Sequence, residues 1–244
     1  MIQLDKIDYS DEDETVTFQF REPLQLGDVK LYCHFSGIIG ESLRGFYRSK
    51  TTRSDGSISY CALCQFAPTD ARRAFPCFDE PALKASFDVT LVVAKDPKIK
   101  ALSNMAVKSE AVEGDFRVVK FNKTPVMSSY LVCYVVGEFD RIEMTSTGGV
   151  KVGAYTQPGK GEQGQFALEV AAKSLDFYAD YFGIPYPLDK LDIIAYPDLS
   201  YGAMENYGLV SFREARLLVD PKNTSTATKQ DVALVVAHEL GHQW

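Results

Sequence analysis

The sequence has 244 residues, 45% of them hydrophobic, with 33 acidic against 26 basic side chains and a formal charge of −7. That composition suits a globular protein of one or two domains. The acidic balance argues against a nucleic-acid partner, since phosphate binding needs clustered Lys and Arg, and no apolar run approaches the roughly 20 residues that span a bilayer.

Residues 1–14 are acidic rather than basic and then apolar, unlike a secretory leader. The expected address is cytoplasmic. Five cysteines (Cys33, Cys61, Cys64, Cys77, Cys133) form an odd set that suits reduced thiols. Cys61 and Cys64 make a C-x-x-C, but positions three apart on a strand point to opposite faces, so two packed thiols are expected rather than a metal or redox pair.

Up to about Glu143 the pattern is that of strands. Val16, Phe18 and Phe20 alternate with polar residues; so do Leu31, Cys33 and Phe35, and Phe87, Val89, Leu91 and Val93. Period two between turn residues predicts strands with one buried face. Residues 118–121 and 130–136 give shorter runs of the same kind. Strands without intervening helices predict a sandwich or an open twisted sheet. The small, polar, glycine-rich stretch 145–149 is the expected boundary, dividing the chain into a β-rich domain, 1–145, and the start of an α+β domain, 150–244.

Beyond that boundary the period changes. Leu168, Ala171, Ala172, Leu175, Tyr178 and Phe182 form one stripe of an amphipathic helix that Gly183 and Pro185 should end. Residues 191–195 read as a buried strand, followed by a loop, and a last helix should run from about Thr226 or Ala227 to the end.

That helix contains His238-Glu239-Leu240-Gly241-His242. Histidines four apart lie on one helix face, so both imidazoles can reach one metal ion. Glu239 is rotated about 100° from His238, close enough to touch a water on that metal without ligating it. Zinc lowers the pKa of such a water, and the glutamate takes its proton as it attacks a carbonyl. Read alone, the motif leaves open an ordinary helix with chance histidines. Upstream stands Gly202-Ala203-Met204-Glu205-Asn206, which alone could be a solvated glutamate beside a turn glycine. Beside a zinc site, however, Glu205 is placed to hold the free α-amine of a peptide, and the main chain of Gly202 and Ala203 to pair with the substrate backbone.

Together, Gly-Ala-Met-Glu-Asn and His-Glu-x-x-His-Gln-Trp resemble the zinc aminopeptidases of the aminopeptidase N family, and segments 70–88, 124–137 and 159–172 resemble its cytosolic, puromycin-sensitive members. The resemblance implies a saddle-like β-rich domain followed by a thermolysin-like catalytic domain, one zinc per site, and peptide substrates with a free amino terminus. It implies that His238 and His242 are zinc ligands, Glu239 the general base, Glu205 the amine anchor, and Gly202, Ala203, Met204, Asn206 and Gln65 substrate-binding residues.

Departures from the family pattern carry expectations of their own. The third zinc ligand, a glutamate on a following helix, falls beyond Trp244, and the first strands of the amino-terminal domain precede Met1, so the chain is expected to be truncated at both ends and inactive alone. His242 sits where helix ends fray. Ala67 stands where the family carries a second amine-binding glutamate, which should weaken amine binding. The alternative is a non-catalytic truncated paralogue serving as a binding or interaction module.

Overall fold

A computed structural model describes residues 4–53 and 56–244. They form two compact units, one ending at Gly37 and one spanning Ile38–Trp244.

The first unit is a hairpin of β1 (Leu4–Ser10) and β2 (Thr15–Phe20), paired antiparallel with Ile7 opposite Phe18 and Tyr9 opposite Val16. The alternation of Val16, Phe18 and Phe20 is thus a strand, with those three side chains on its half-buried face. The alternation at Leu31, Cys33 and Phe35 is not. Residues 31–35 form no strand and are fully on the surface. A strand needs neighbours for its N–H and C=O groups, and among the described residues none pairs with this stretch.

The second unit opens with strands only. A four-stranded antiparallel sheet is ordered β3 (Gly45–Thr52), β4 (Ile58–Gln65), β9 (Tyr134–Glu138), β6 (Ile99–Ser103). A three-stranded antiparallel sheet is ordered β5 (Thr90–Ala94), β8 (Phe116–Phe121), β7 (Val107–Glu113). The strand expected from Phe87 starts only at Thr90; before it, Phe87 and Val89 accept from Thr124 and Phe121 main-chain amides as the partner leaves its ladder. Similarly, residues 129–131 coil into a 3-10 turn, so the run from Tyr130 becomes a strand only at Tyr134. Cys61 and Cys64 are both buried thiols on β4, and the Cys64 Sγ lies 3.2 Å from that of Cys133.

From Asp140 onward helices enter. The five-stranded sheet is ordered β10 (Asp140–Thr145), β11 (Lys151–Thr156), β12 (Lys190–Tyr196), β14 (Leu209–Arg213), β13 (Ala203–Met204). The glycine-rich stretch 145–149 is the turn of the β10–β11 hairpin, its Thr147 and Gly148 amides donating to the Asp176 carboxylate. β11, β12 and β14 run parallel, and α1 (Gln165–Phe182) is the crossover between β11 and β12. Parallel neighbours need such a crossover, and they end up covered on both faces.

The burial of β12 shows that covering. Leu191, Ile193 and Ala195 pack in one cluster with Leu168, Ala171, Ala172 and Leu175 of α1 and with Val232, Val236 and Leu240 of α2 (Thr226–Gly241). Ile194 and Tyr196 point the other way, into the core shared with Leu63 and Cys64 of β4 and Val135 of β9. The apolar run read at 191–195 is therefore a strand between two cores. Gly183 ends α1 in the left-handed conformation (φ 66°) that favours glycine. No helix among the described residues is long and apolar enough to cross a membrane.

Candidate functional site

α2 starts where Ser225 caps it, its Oγ accepting from the Thr228 amide at 3.1 Å. Val232, Val236 and Leu240 bury one side of the helix against the sheet. That seating turns His238 and His242 to the open side and leaves Glu239 only 7% exposed. The two Nε2 atoms lie 3.3 Å apart, with the rings edge to face.

The Glu205 loop reaches the same place from the sheet. β13 pairs with β14 at the edge of the five-stranded sheet, Ala203 opposite Phe212 and Met204 opposite Ser211. Arg213 donates its amide to the Gly202 carbonyl at 2.9 Å, so that oxygen is committed to the sheet, and the other edge of β13 is the one open to a further strand. Met204 packs into the core between the sheets. Asn206 is buried, its Oδ1 accepting from Ser211 Oγ at 3.2 Å and its Nδ2 donating to the Tyr130 carbonyl at 3.4 Å.

This path brings Glu205 against α2. One ligand atom each from Glu205, Glu239 and His242 falls within 4.8 Å of the others. With His238 beside His242, two imidazoles offer donors that suit zinc, and the carboxylates of Glu205 and Glu239 stand next to them. The carboxylates also act on each other. Burial first, and then the Glu205 charge, push Glu239 up from 4.5 to about 7. Tyr130, half-buried and facing Glu205 and Tyr207, is raised as well, by desolvation first and then by those two groups.

Gln65 belongs to another sheet, at the end of β4. Its side chain is buried; Nε2 reaches the Ala67 carbonyl at 3.5 Å and Oε1 finds no partner among the described residues. β4 ends there, so strand alternation does not extend to Ala67. Nor is the end of α2 loose, as fraying would have it. Gln243 and Trp244 continue it as turns, and the Trp244 Nε1 donates to the Ile184 carbonyl at 2.7 Å amid the rings of Tyr178, Phe182 and Tyr186. Gln243 itself, with bonds to the Glu205 loop, stands in the His-Glu-x-x-His-Gln-Trp motif, but sequence reasoning gave it no role.

Two family models match the chain: the Peptidase M1 N-terminal domain over residues 2–131 and the Peptidase family M1 domain over residues 166–244. The chain is 49% identical to "Aminopeptidase M1" of Arabidopsis thaliana, over 98% of its own length and 27% of the relative's. It is 49% identical to "Puromycin-sensitive aminopeptidase" of Caenorhabditis elegans, over 97% of its own length and 25% of the relative's. "Endoplasmic reticulum aminopeptidase 1" of Homo sapiens is 42% identical, over 95% of this chain and 24% of that one. The chain thus spans about a quarter of the length of the curated relatives it matches.

Proposed function

The chain belongs to peptidase family M1, and from that premise we propose that its site serves a zinc aminopeptidase, which releases amino-terminal residues from peptides. The observation that carries this reading is the convergence of Glu205, Glu239 and His242 within 4.8 Å, with His238 Nε2 at 3.3 Å from His242 Nε2. His238 and His242 would hold the zinc. When bound, that ion acts as a Lewis acid toward the scissile carbonyl.

Glu239 is the general base. In the metal-free chain burial and the Glu205 charge raise its carboxyl to about 7, and a bound dication would draw that value down. Glu205 takes the α-ammonium of the substrate by a charge-assisted hydrogen bond. Gly202 and Ala203 offer the open edge of β13 to the substrate main chain. Met204 and Asn206, both buried, serve that subsite by shaping the loop, and Gln65 contributes its unpaired Oε1.

A division into two partial domains is part of the same reading, supported by family matches that end at 131 and resume at 166. A boundary between 1–145 and 150–244, however, would cut the β10–β11 hairpin, and the strands of one sheet belong together. A cytoplasmic address is also part of that reading, and it suits thiols that form no disulfide among the described residues.

The test is binding. Chelator competition should find one zinc per chain, lost in His238→Ala and in His242→Ala. The zinc-loaded chain should then bind a short peptide with a free amino terminus and refuse its N-acetylated twin. Zinc held equally well without either histidine, or equal binding of both peptides, would overturn the assignment.

A further inference from the structure

Gln243 is 5% exposed and directly follows His242 in the turn that continues α2. Both ends of its carboxamide bond to the main chain of one loop. Oε1 accepts from the Gly208 amide at 3.1 Å, and Nε2 donates to the Glu205 carbonyl at 3.1 Å. A primary amide offers a donor and an acceptor in one plane, so it can grip two peptide groups as a strand neighbour would. The other bonds to this loop come from elsewhere. Asn104 donates to the Tyr207 carbonyl at 2.8 Å, and Lys190 to the Gly208 carbonyl at 2.6 Å. Gln243 reaches the loop from the helix that carries both histidines.

The loop needs such a restraint. Glu205 and Glu239 stand within 4.8 Å of each other, and once Glu239 gives up its proton the like charges at that range repel, more strongly where water is scarce. A carboxylate on a free loop would swing away. We propose that Gln243 is a positioning residue, whose carboxamide fixes the Glu205 loop against the end of α2 and so sets where the Glu205 carboxylate stands relative to His238, Glu239 and His242. The proposal rests on the reading of Glu205 as the amine anchor.

Two probes separate that reading from the proposal. Leucine hydroxamate chelates zinc and presents an α-amine; acetohydroxamate chelates zinc without one. The zinc-loaded full chain should prefer the first. Glu205→Gln should abolish the preference. Gln243→Met should narrow it by about 3- to 10-fold, the worth of about one net hydrogen bond, leave acetohydroxamate unchanged, and add nothing in the Glu205→Gln background. If Glu205→Gln keeps the preference, the amine-anchor reading falls and takes the positioning role with it. If Glu205→Gln abolishes it while Gln243→Met weakens both probes equally, or neither, only the proposal falls.

A second measurement needs neither metal nor variant. In the metal-free chain the Gly208 amide should exchange with solvent as slowly as the ladder amides of β14; fast exchange at Gly208 would overturn the clamp whatever the probes report.

Discussion

The Nε2 atoms of His238 and His242 stand 3.3 Å apart on the open side of α2. One helical turn separates their backbones, and the buried apolar face of the helix leaves both rings pointing the same way. This closeness predicts that the two imidazoles act as one chelate. Replacing either with Ala should lower zinc affinity by more than the about 10- to 100-fold that loss of a supporting partner costs. Competition with a chromophoric chelator reads it directly. An affinity unchanged in His242→Ala would mean that the ion sits elsewhere.

Glu239 predicts a pH dependence. Folding raises its pKa from 4.5 to about 7, because burial and the Glu205 charge favour the neutral form. Below 4.5 both folded and unfolded chains hold the proton, and the group adds nothing. Between 4.5 and 7 the unfolded chain releases it first, so this group erodes stability as pH rises; above 7 the loss is complete. Glu239→Gln removes the effect. The metal-free variant should gain on wild type through that window, by at most about 3 kcal/mol. Urea unfolding with chelator at several pH values measures it, and a difference that stays flat would refute the assignment.

Much of this site was legible in the sequence, because helix periodicity places His238 and His242 on one face whatever surrounds them. α1 and β12 were legible for the same reason: one stripe and one apolar run suffice. The approach of Glu205 was not readable from period or propensity. It depends on β13 lying at the sheet edge beside β14, which is a long-range pairing, and the five-residue motif alone signalled it. Leu31, Cys33 and Phe35 show the converse. Their alternation is real, but a strand exists only where another can pair with it, and local pattern carries no information about the partner. Gln243 was overlooked because a buried amide is defined by the loop it binds, not by its neighbours in sequence.

Gly208 predicts a severe local defect. Its backbone is left-handed (φ 70°), and a Cβ there would run into the Asn104 carbonyl and the Leu188 side chain. Left-handed strain and overpacking together should make Gly208→Ala about 2–5 kcal/mol less stable. Gly148→Ala is the fair comparison, since its nearest obstacle is the Asp176 side chain at 3.1 Å, in an exposed turn. Thermal melts should show a far larger loss at 208 than at 148.

Lys190 gives the last prediction. Its Nζ lies 2.8 Å from the Asp192 carboxylate and donates to the carbonyls of Ser103 at 3.0 Å and Gly208 at 2.6 Å. One ammonium thus ties β12 to the end of β6 and to the foot of the Glu205 loop, with both members of the ion pair largely buried. Lys190→Met keeps most of the stem but takes the ammonium from the Asp192 carboxylate and the Ser103 carbonyl, while the Gly208 carbonyl keeps the Asp192 amide at 3.0 Å. Removing one partner of a buried pair costs about 3–5 kcal/mol, and the denaturation midpoint should fall accordingly. Lys190→Met/Asp192→Leu removes both charges and should recover much of that loss, because the unpaired carboxylate is the larger part of the penalty. A double variant as unstable as the single one would assign the cost to the lost carbonyl bonds instead.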